Sequence, residues 1–173
     1  MHRITAFIAI AFMLAGCGYS QPGSDPAGGY QWRSLYREDV KTVAIPIFAN
    51  RDFRRGVEFS LTKALVGQLE AHSPYKVVPR ERADTVIEGE IVSIDVQTIS
   101  NEPDIAIPQE QLYAVTVNFV WKDLRSGRIL VERRNFQQTT PFYPTLGEGQ
   151  FVGSQQAVER LALGIVQELQ ADW

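Results

Sequence analysis

LYAVTVNFVWKDLRSGRILVERRNFQQ, residues 112–138, decides the fold class. From Leu112 to Lys122, Tyr113, Val115, Val117, Phe119 and Trp121 recur at every second position, the spacing that puts side chains on one side of a strand. Asp123-Leu-Arg-Ser-Gly127 is turn chemistry, and Arg128 to Gln138 returns as the next strand, so the stretch predicts an antiparallel hairpin. Trp121 and Phe119 belong to its buried side.

Upstream, Thr85 to Ile99 is also strand-like but changes parity. Ile87 and Ile91 share one side; Val92, Ile94 and Val96 share the other. A β-bulge near Val92-Ser93 would restore a single buried face. Ser100 to Gln111, with Pro103 and Pro108, reads as a long loop. Thr42 to Phe48 alternates with Val43, Ile45 and Ile47 on one face, and Pro46 predicts an edge or a bulge. Asn50-Arg51-Asp52 offers a helix cap. Val57, Leu61, Ala64, Leu65 and Leu69 then recur at helical spacing, predicting a helix over residues 54–71 that Ser73-Pro74 ends. Tyr75 to Val78 reads as a short strand. Thr139 to Gln150 reads as irregular. From about Phe151, residues Ala157, Val158, Leu161, Ala162, Ile165, Val166 and Leu169 mark a second amphipathic helix. The order predicts an α+β fold, a two-layer sandwich of a four- to five-stranded, mostly antiparallel sheet with two helices on one face. The domain would occupy residues 32–173.

The N-terminus is of another kind. Arg3 precedes Ile4 to Leu14, an apolar run without charge that is too short to cross a bilayer core, which takes about 20 residues. It reads as a signal peptide over residues 1–16. Leu14-Ala15-Gly16-Cys17 resembles the bacterial lipobox, where small residues fit the peptidase and the thiol takes the lipid. Cleavage is expected between Gly16 and Cys17, with acylated Cys17 as the membrane anchor. Cys17 is the chain's single cysteine. Several acyl chains hold a protein stably where one does not. Gly18 stands at the second mature position, where Asp would favour inner-membrane retention in the usual lipoprotein sorting pattern, so the outer membrane is expected. Eight of the twelve residues from Gly18 to Gly29 are Gly, Pro or Ser, the composition of a flexible tether, which we assign to residues 17–31.

Composition narrows the function classes. With 17 Lys plus Arg against 20 Asp plus Glu, the net charge of -3 argues against a nucleic-acid binder. One cysteine and two histidines leave no zinc framework. Acylation would consume the thiol and removal of residues 1–16 one histidine, so His72 alone would have to serve a hydrolytic triad. It lies beside a helix end and a proline and reads as structural. Gly147-Glu-Gly149 lacks the third glycine of a dinucleotide loop. No catalytic residue, metal site or cofactor is expected.

An ordered set of short motifs carries a resemblance. Cys17-Gly18-Tyr19, then Thr42-Val-Ala-Ile-Pro-Ile-Phe-Ala-Asn-Arg51, then Glu58-Phe-Ser-Leu-Thr-Lys-Ala-Leu65, then Ala83-Asp-Thr-Val-Ile-Glu-Gly-Glu-Ile91 resemble the lipopolysaccharide-assembly lipoprotein family LptE, formerly rare lipoprotein B. The resemblance implies a non-enzymatic lipoprotein of the outer membrane, on its periplasmic side. It further implies a partner, the outer-membrane β-barrel LptD, in which the lipoprotein sits as a plug and helps insert lipopolysaccharide. An alternative from another class is a periplasmic lipoprotein that activates a cell-wall synthase.

Candidate contacts follow two chemistries. Arg133 and Arg128 could meet lipid phosphates, which guanidinium groups grip bidentately; the alternative is that they blunt an exposed strand edge. Neighbours on a strand face opposite ways, so Arg133 and Arg134 cannot join one patch. Arg125 flanks the same hairpin. Arg51, Arg54 and Arg55 stand at a helix start, where they oppose the dipole; they read either as a solvated turn or as the site of a partner carboxylate or phosphate. Phe142 and Tyr143, between two prolines, are either exposed anchors for a barrel wall or the closure of the chain's own core.

Overall fold

The computed structural model describes residues 34–101, 108–147 and 149–170. Gly16, Cys17, the tether and the signal segment lie outside the described residues. Among these residues six strands and two long helices make an α+β two-layer sandwich, the helices together on one face. The strands are β1 (Thr42–Ala44), β2 (Ala49–Asn50), β3 (Lys76–Val77), β4 (Thr85–Asn101), β5 (Pro108–Asp123) and β6 (Ile129–Phe142). The helices are α1 (Val57–His72) and α2 (Gln150–Glu168). The sheet order is β3-β1-β4-β5-β6, with β2 beside β4.

The sheet is mixed. β4, β5 and β6 form a long antiparallel meander, whereas β1 pairs parallel with both β3 and β4, and β2 pairs parallel with β4. A parallel pair needs a crossover, and α1 supplies it between β1 and β3. β1 is therefore an inner strand. Pro46 does not sit at an edge; it falls in the gap between β1 and β2, where no ladder bond is asked of it. The break also overturns the expected face: Ile47 is exposed, while Phe48 is buried with Val43.

The bulge expected in β4 is present. Ile91 pairs with Val117 and Ser93 with Thr116, so Val92 is the extra residue, and Ile87, Ile91 and Ile94 all enter the core. Gly89 sits where a Cβ would come within 2.3 Å of Phe48 and 2.8 Å of the Asn118 carbonyl, so no side chain fits. β6 has its own irregularity. Asn135, at φ 52, breaks the register with β5 and donates its N–H to Asn118 Oδ1 at 2.8 Å.

Both proline-bearing connections are shorter than the sequence predicts. β4 runs to Asn101 and β5 starts at Pro108, so residues 100–101 and 108–111, half of the expected Ser100–Gln111 loop, are strand. β6 continues to Phe142, followed by a 3-10 turn over Pro144–Leu146. Cross-strand pairing and burial on β5 hold these ends extended despite their prolines. α1 begins at Val57, not at residue 54, and its N-cap is Gly56 at φ 94 without a side-chain cap. Asn50 and Asp52 instead tie the approach: Asn50 Nδ2 donates to the Arg54 carbonyl at 2.8 Å and to Glu58 Oε2 at 2.7 Å.

Leu61, Leu65 and Leu69 of α1, with Leu161 and Ile165 of α2, are fully buried over Ile87, Ile91, Val115 and Val117. Burying a side chain of this size contributes roughly 1.5–3 kcal/mol. Trp121 Nε1 donates to Thr85 Oγ1 at 2.9 Å, which satisfies the indole inside the core. Tyr75 packs on Trp121 with centroids 5.8 Å apart, and burial pushes its phenol up to about 12.

Candidate functional site

The arginines are divided by the sheet. Arg133 pairs opposite Phe119 and so leaves β6 on the helix side, where it holds Glu168 of α2 through Nη2 at 2.6 Å and Nε at 2.7 Å. Arg134 points to the other face and pairs with Glu132 at 2.9 Å. The opposite orientations expected of neighbours are found. Arg125, in the β5–β6 turn, lies 3.8 Å from Asp84 and 3.7 Å from Asp123. Asp123 Oδ1 takes the N–H groups of Ser126 and Arg125, which pulls its carboxyl below the usual range and fixes the turn. Arg128 has no carboxylate within 4.0 Å among the described residues, in contrast to Arg133. Arg133 is therefore already neutralised, whereas Arg128 acts on a carboxylate only at longer range, helping Arg37 to hold that of Asp39 below its usual range.

The cluster before α1 is also spoken for. Arg51 pairs with Glu90 at 2.8 Å across the open face, and Arg54 bonds the Ile94 carbonyl and stacks over Phe53 at 4.6 Å. Arg55 reaches the Asn50 carbonyl, at 3.2 Å.

Phe142 is not exposed. It is 2% accessible, and its ring fills the space over Gly153, where a Cβ would lie 2.6 Å from it. Of the two alternatives, Phe142 takes core closure, because the last residue of β6 faces the first turns of α2. The exposed anchor is a correction for this residue. Tyr143, one position on, is 37% exposed.

Tyr143 has company. The Arg54 bond to the Ile94 carbonyl and the seat of Phe142, level with Thr98 through Gln111, over Gly153 set the starts of both helices over the second half of β4. Phe53, Phe59, Ile99, Leu146 and Phe151 are exposed there, with Leu146 77% and Phe151 72% accessible. A groove of about 570 Å³ runs between α1 and α2, floored by Ala64 and Val158 and mouthed by Ser60 and Phe151. Sequence reading missed this gathering. The available sign was phase: Phe59 and Phe151 are large and apolar but lie off the buried stripes of their helices.

The face of the sheet away from the helices is polar. Glu88, Glu90, Asn118, Glu132 and Arg134 border a depression of about 480 Å³. Arg80 pairs with Glu88. Asn118 Nδ2 donates to Glu90 Oε1 at 3.0 Å and Gln137 Nε2 to Thr116 Oγ1 at 3.2 Å, cross-strand bonds that knit the face. Among the described residues no three His, Cys, Asp or Glu side chains converge as metal ligands, and His72 is exposed at the last turn of α1. No described helix is long and apolar enough to cross a membrane.

Residues 40–172 match the family described as LptE, lipopolysaccharide-assembly. No curated protein matches the chain. Among solved structures, the chain is similar to the PelC dodecamer subunit of Paraburkholderia phytofirmans, at 16% identity over 79% of this chain and 93% of that one, with a TM-score of 0.54. Lipoprotein B of Nitrosomonas europaea gives 13% identity over 83% and 92%, also with a TM-score of 0.54. Protein XCC0632 of Xanthomonas campestris gives 10% over 75% and 81%, at 0.51. At these identities the likeness is one of fold.

Proposed function

The chain belongs to the lipopolysaccharide-assembly family LptE, and from that membership we propose that it is an outer-membrane lipoprotein, anchored through acylated Cys17 on the periplasmic side, that works without catalysis. In this reading it sits as a plug in an LptD-like β-barrel and assists insertion of lipopolysaccharide. The family match over residues 40–172 carries the proposal.

Two features of the surface support the plug. Barrel interiors are polar and wet, and the open sheet face, with its Glu, Asn and Arg side chains, suits such a wall. Phe53, Phe59, Tyr143, Leu146 and Phe151 are large exposed side chains at or just before the starts of the two helices, and exposed apolar side chains there suit a partner contact. Tyr143 thus stays a partner anchor, and Phe142 supports it from inside. Arg128, with no carboxylate within 4.0 Å among the described residues, is the better phosphate contact; Arg133 would first have to leave Glu168.

The test is co-purification of the acylated full chain from its native membrane. A heat-modifiable β-barrel in the eluate supports the reading. A peptidoglycan synthase in its place would sink it in favour of the cell-wall alternative. Leu146→Ser with Phe151→Ser should cut barrel recovery by ~10-fold or more, since anchor residues are worth about 2 kcal/mol. Both residues are exposed, so the melting temperature should hold.

A further inference from the structure

β6 is the terminal strand, and among the described residues no strand pairs with its outer edge. It has 14 residues, whereas β3 at the opposite side has 2. A long bare edge is a template for another strand. The first half of β6 is guarded: it carries Glu132, Arg133 and Arg134 and ends in the bulge at Asn135. The second half is not. Phe136 to Thr140 has no charge, Pro or Gly, and pairs with β5 from Phe136 to Phe142 without a register break.

Pro141 tells which backbone groups point outward. Proline cannot donate to a ladder, so it occupies an edge strand where its nitrogen faces away from the neighbour. Alternation then turns the N–H and C=O groups of Gln137 and Thr139 outward and those of Phe136, Gln138 and Thr140 toward β5. The Gln137–Thr116 side-chain bond agrees, because facing pairs without ladder bonds bring their side chains closest.

We propose that the Phe136–Thr140 edge accepts an extended, uncharged segment of the partner protein as an added strand, held by the main chain of Gln137 and Thr139. Main-chain bonds supply the affinity in such strand addition. For the partner's identity the inference rests on the barrel reading above. A closed barrel wall has no edge to offer, so the added strand comes from a loop or an extension of the barrel protein. A second copy fits less well. Antiparallel self-pairing centred on Gln138 would set Arg134 against Phe142 and the Asn135 bulge against Pro141, which stops the ladder after Phe136 and Thr140.

Residue-resolved amide exchange on the ¹⁵N-labelled acylated full chain, alone and with its organism's barrel in detergent, tests this. Alone, Gln137 and Thr139 should exchange ~100-fold faster than Gln138 and Thr140, as amides outside a ladder do; in the complex they should slow by ~10-fold or more. Thr139→Pro, in phase with Pro141, should keep the melting temperature and lose the barrel, while Gln138→Pro should lower the melting temperature by breaking the β5 ladder. Free-rate exchange at Gln137 and Thr139 inside an intact complex, with the barrel retained by Thr139→Pro, overturns the added strand and leaves the plug standing. Protection that appears in the isolated chain and grows with its concentration assigns the edge to a second copy and also overturns it. If wild type retains no barrel, the plug reading fails instead. The chain taken from its native membrane then decides: protection abolished by Thr139→Pro supports strand addition, and free-rate exchange overturns it.

Discussion

Thr140 is fully buried on β6, and its hydroxyl has no hydrogen-bond partner among the described residues. An unsatisfied buried hydroxyl costs about 1–3 kcal/mol. Thr140→Val keeps the shape and the β-branched rotamer, so urea melts should show it more stable by about 1 kcal/mol. A loss of that size would mean the hydroxyl is satisfied after all. Asp84 is the opposite case. Its Oδ2 accepts from the Thr42 hydroxyl at 2.8 Å, the Thr42 N–H at 3.0 Å and the Lys41 N–H at 3.1 Å, clamping β1 to the start of β4. The Thr42 hydroxyl first, then the two backbone donors, hold its carboxyl below the usual range despite partial burial. A depressed folded pKa makes the native state bind fewer protons than the unfolded one. The stability gained is therefore full above the unfolded value of about 3.9 and is lost as pH falls through the folded value. Asp84→Asn should be less stable at neutral pH and flatter in stability below about pH 4. Unfolding free energies that fall as steeply in acid as wild type would assign the acid limb to other carboxylates.

At the scale of elements, the helix faces follow from their spacing. Leu61 of α1 and Leu161 of α2 are each 0% accessible. Leu61→Ala and Leu161→Ala should each cost about 2–5 kcal/mol in urea melts, and losses under about 0.5 kcal/mol would put these residues on the wrong faces. The bulge in β4 was equally readable, because a parity change at Val92 has no other way to keep Ile91 and Ile94 on one side. Element ends were less so. Pro103, Pro108 and Pro141 argue locally for loops around the actual arm tips, yet β4 reaches Asn101 and β6 reaches Phe142. Long-range pairing outweighs a local preference once three strands share a ladder. The cap of α1 was misread for a related reason: Asn50 and Asp52 use their side chains on the approach, and Gly56 alone adopts the left-handed backbone needed at the start.

For the whole molecule, the anchor and the fold separate cleanly as predictions. Cys17→Ala should incorporate no labelled palmitate and should leave the precursor uncut; label on the variant would sink the lipoprotein reading. The residue order by itself determined the two helices, their buried stripes, the β4–β5–β6 meander and the bulge, because periods of 3.6 and 2 report which side of an element is dry. It also carried the family, through short motifs in a fixed order. Only the tertiary structure decided that β1 lies inside the sheet, that Phe142 closes the core while Tyr143 does not, and that Arg133 is held by Glu168. The exposure of Phe53, Phe59, Leu146 and Phe151 around the starts of the two helices was decided there too. Periodicity assigns a residue to a face, but which face meets which is set by sheet order and helix direction, and those depend on contacts between residues far apart in the chain.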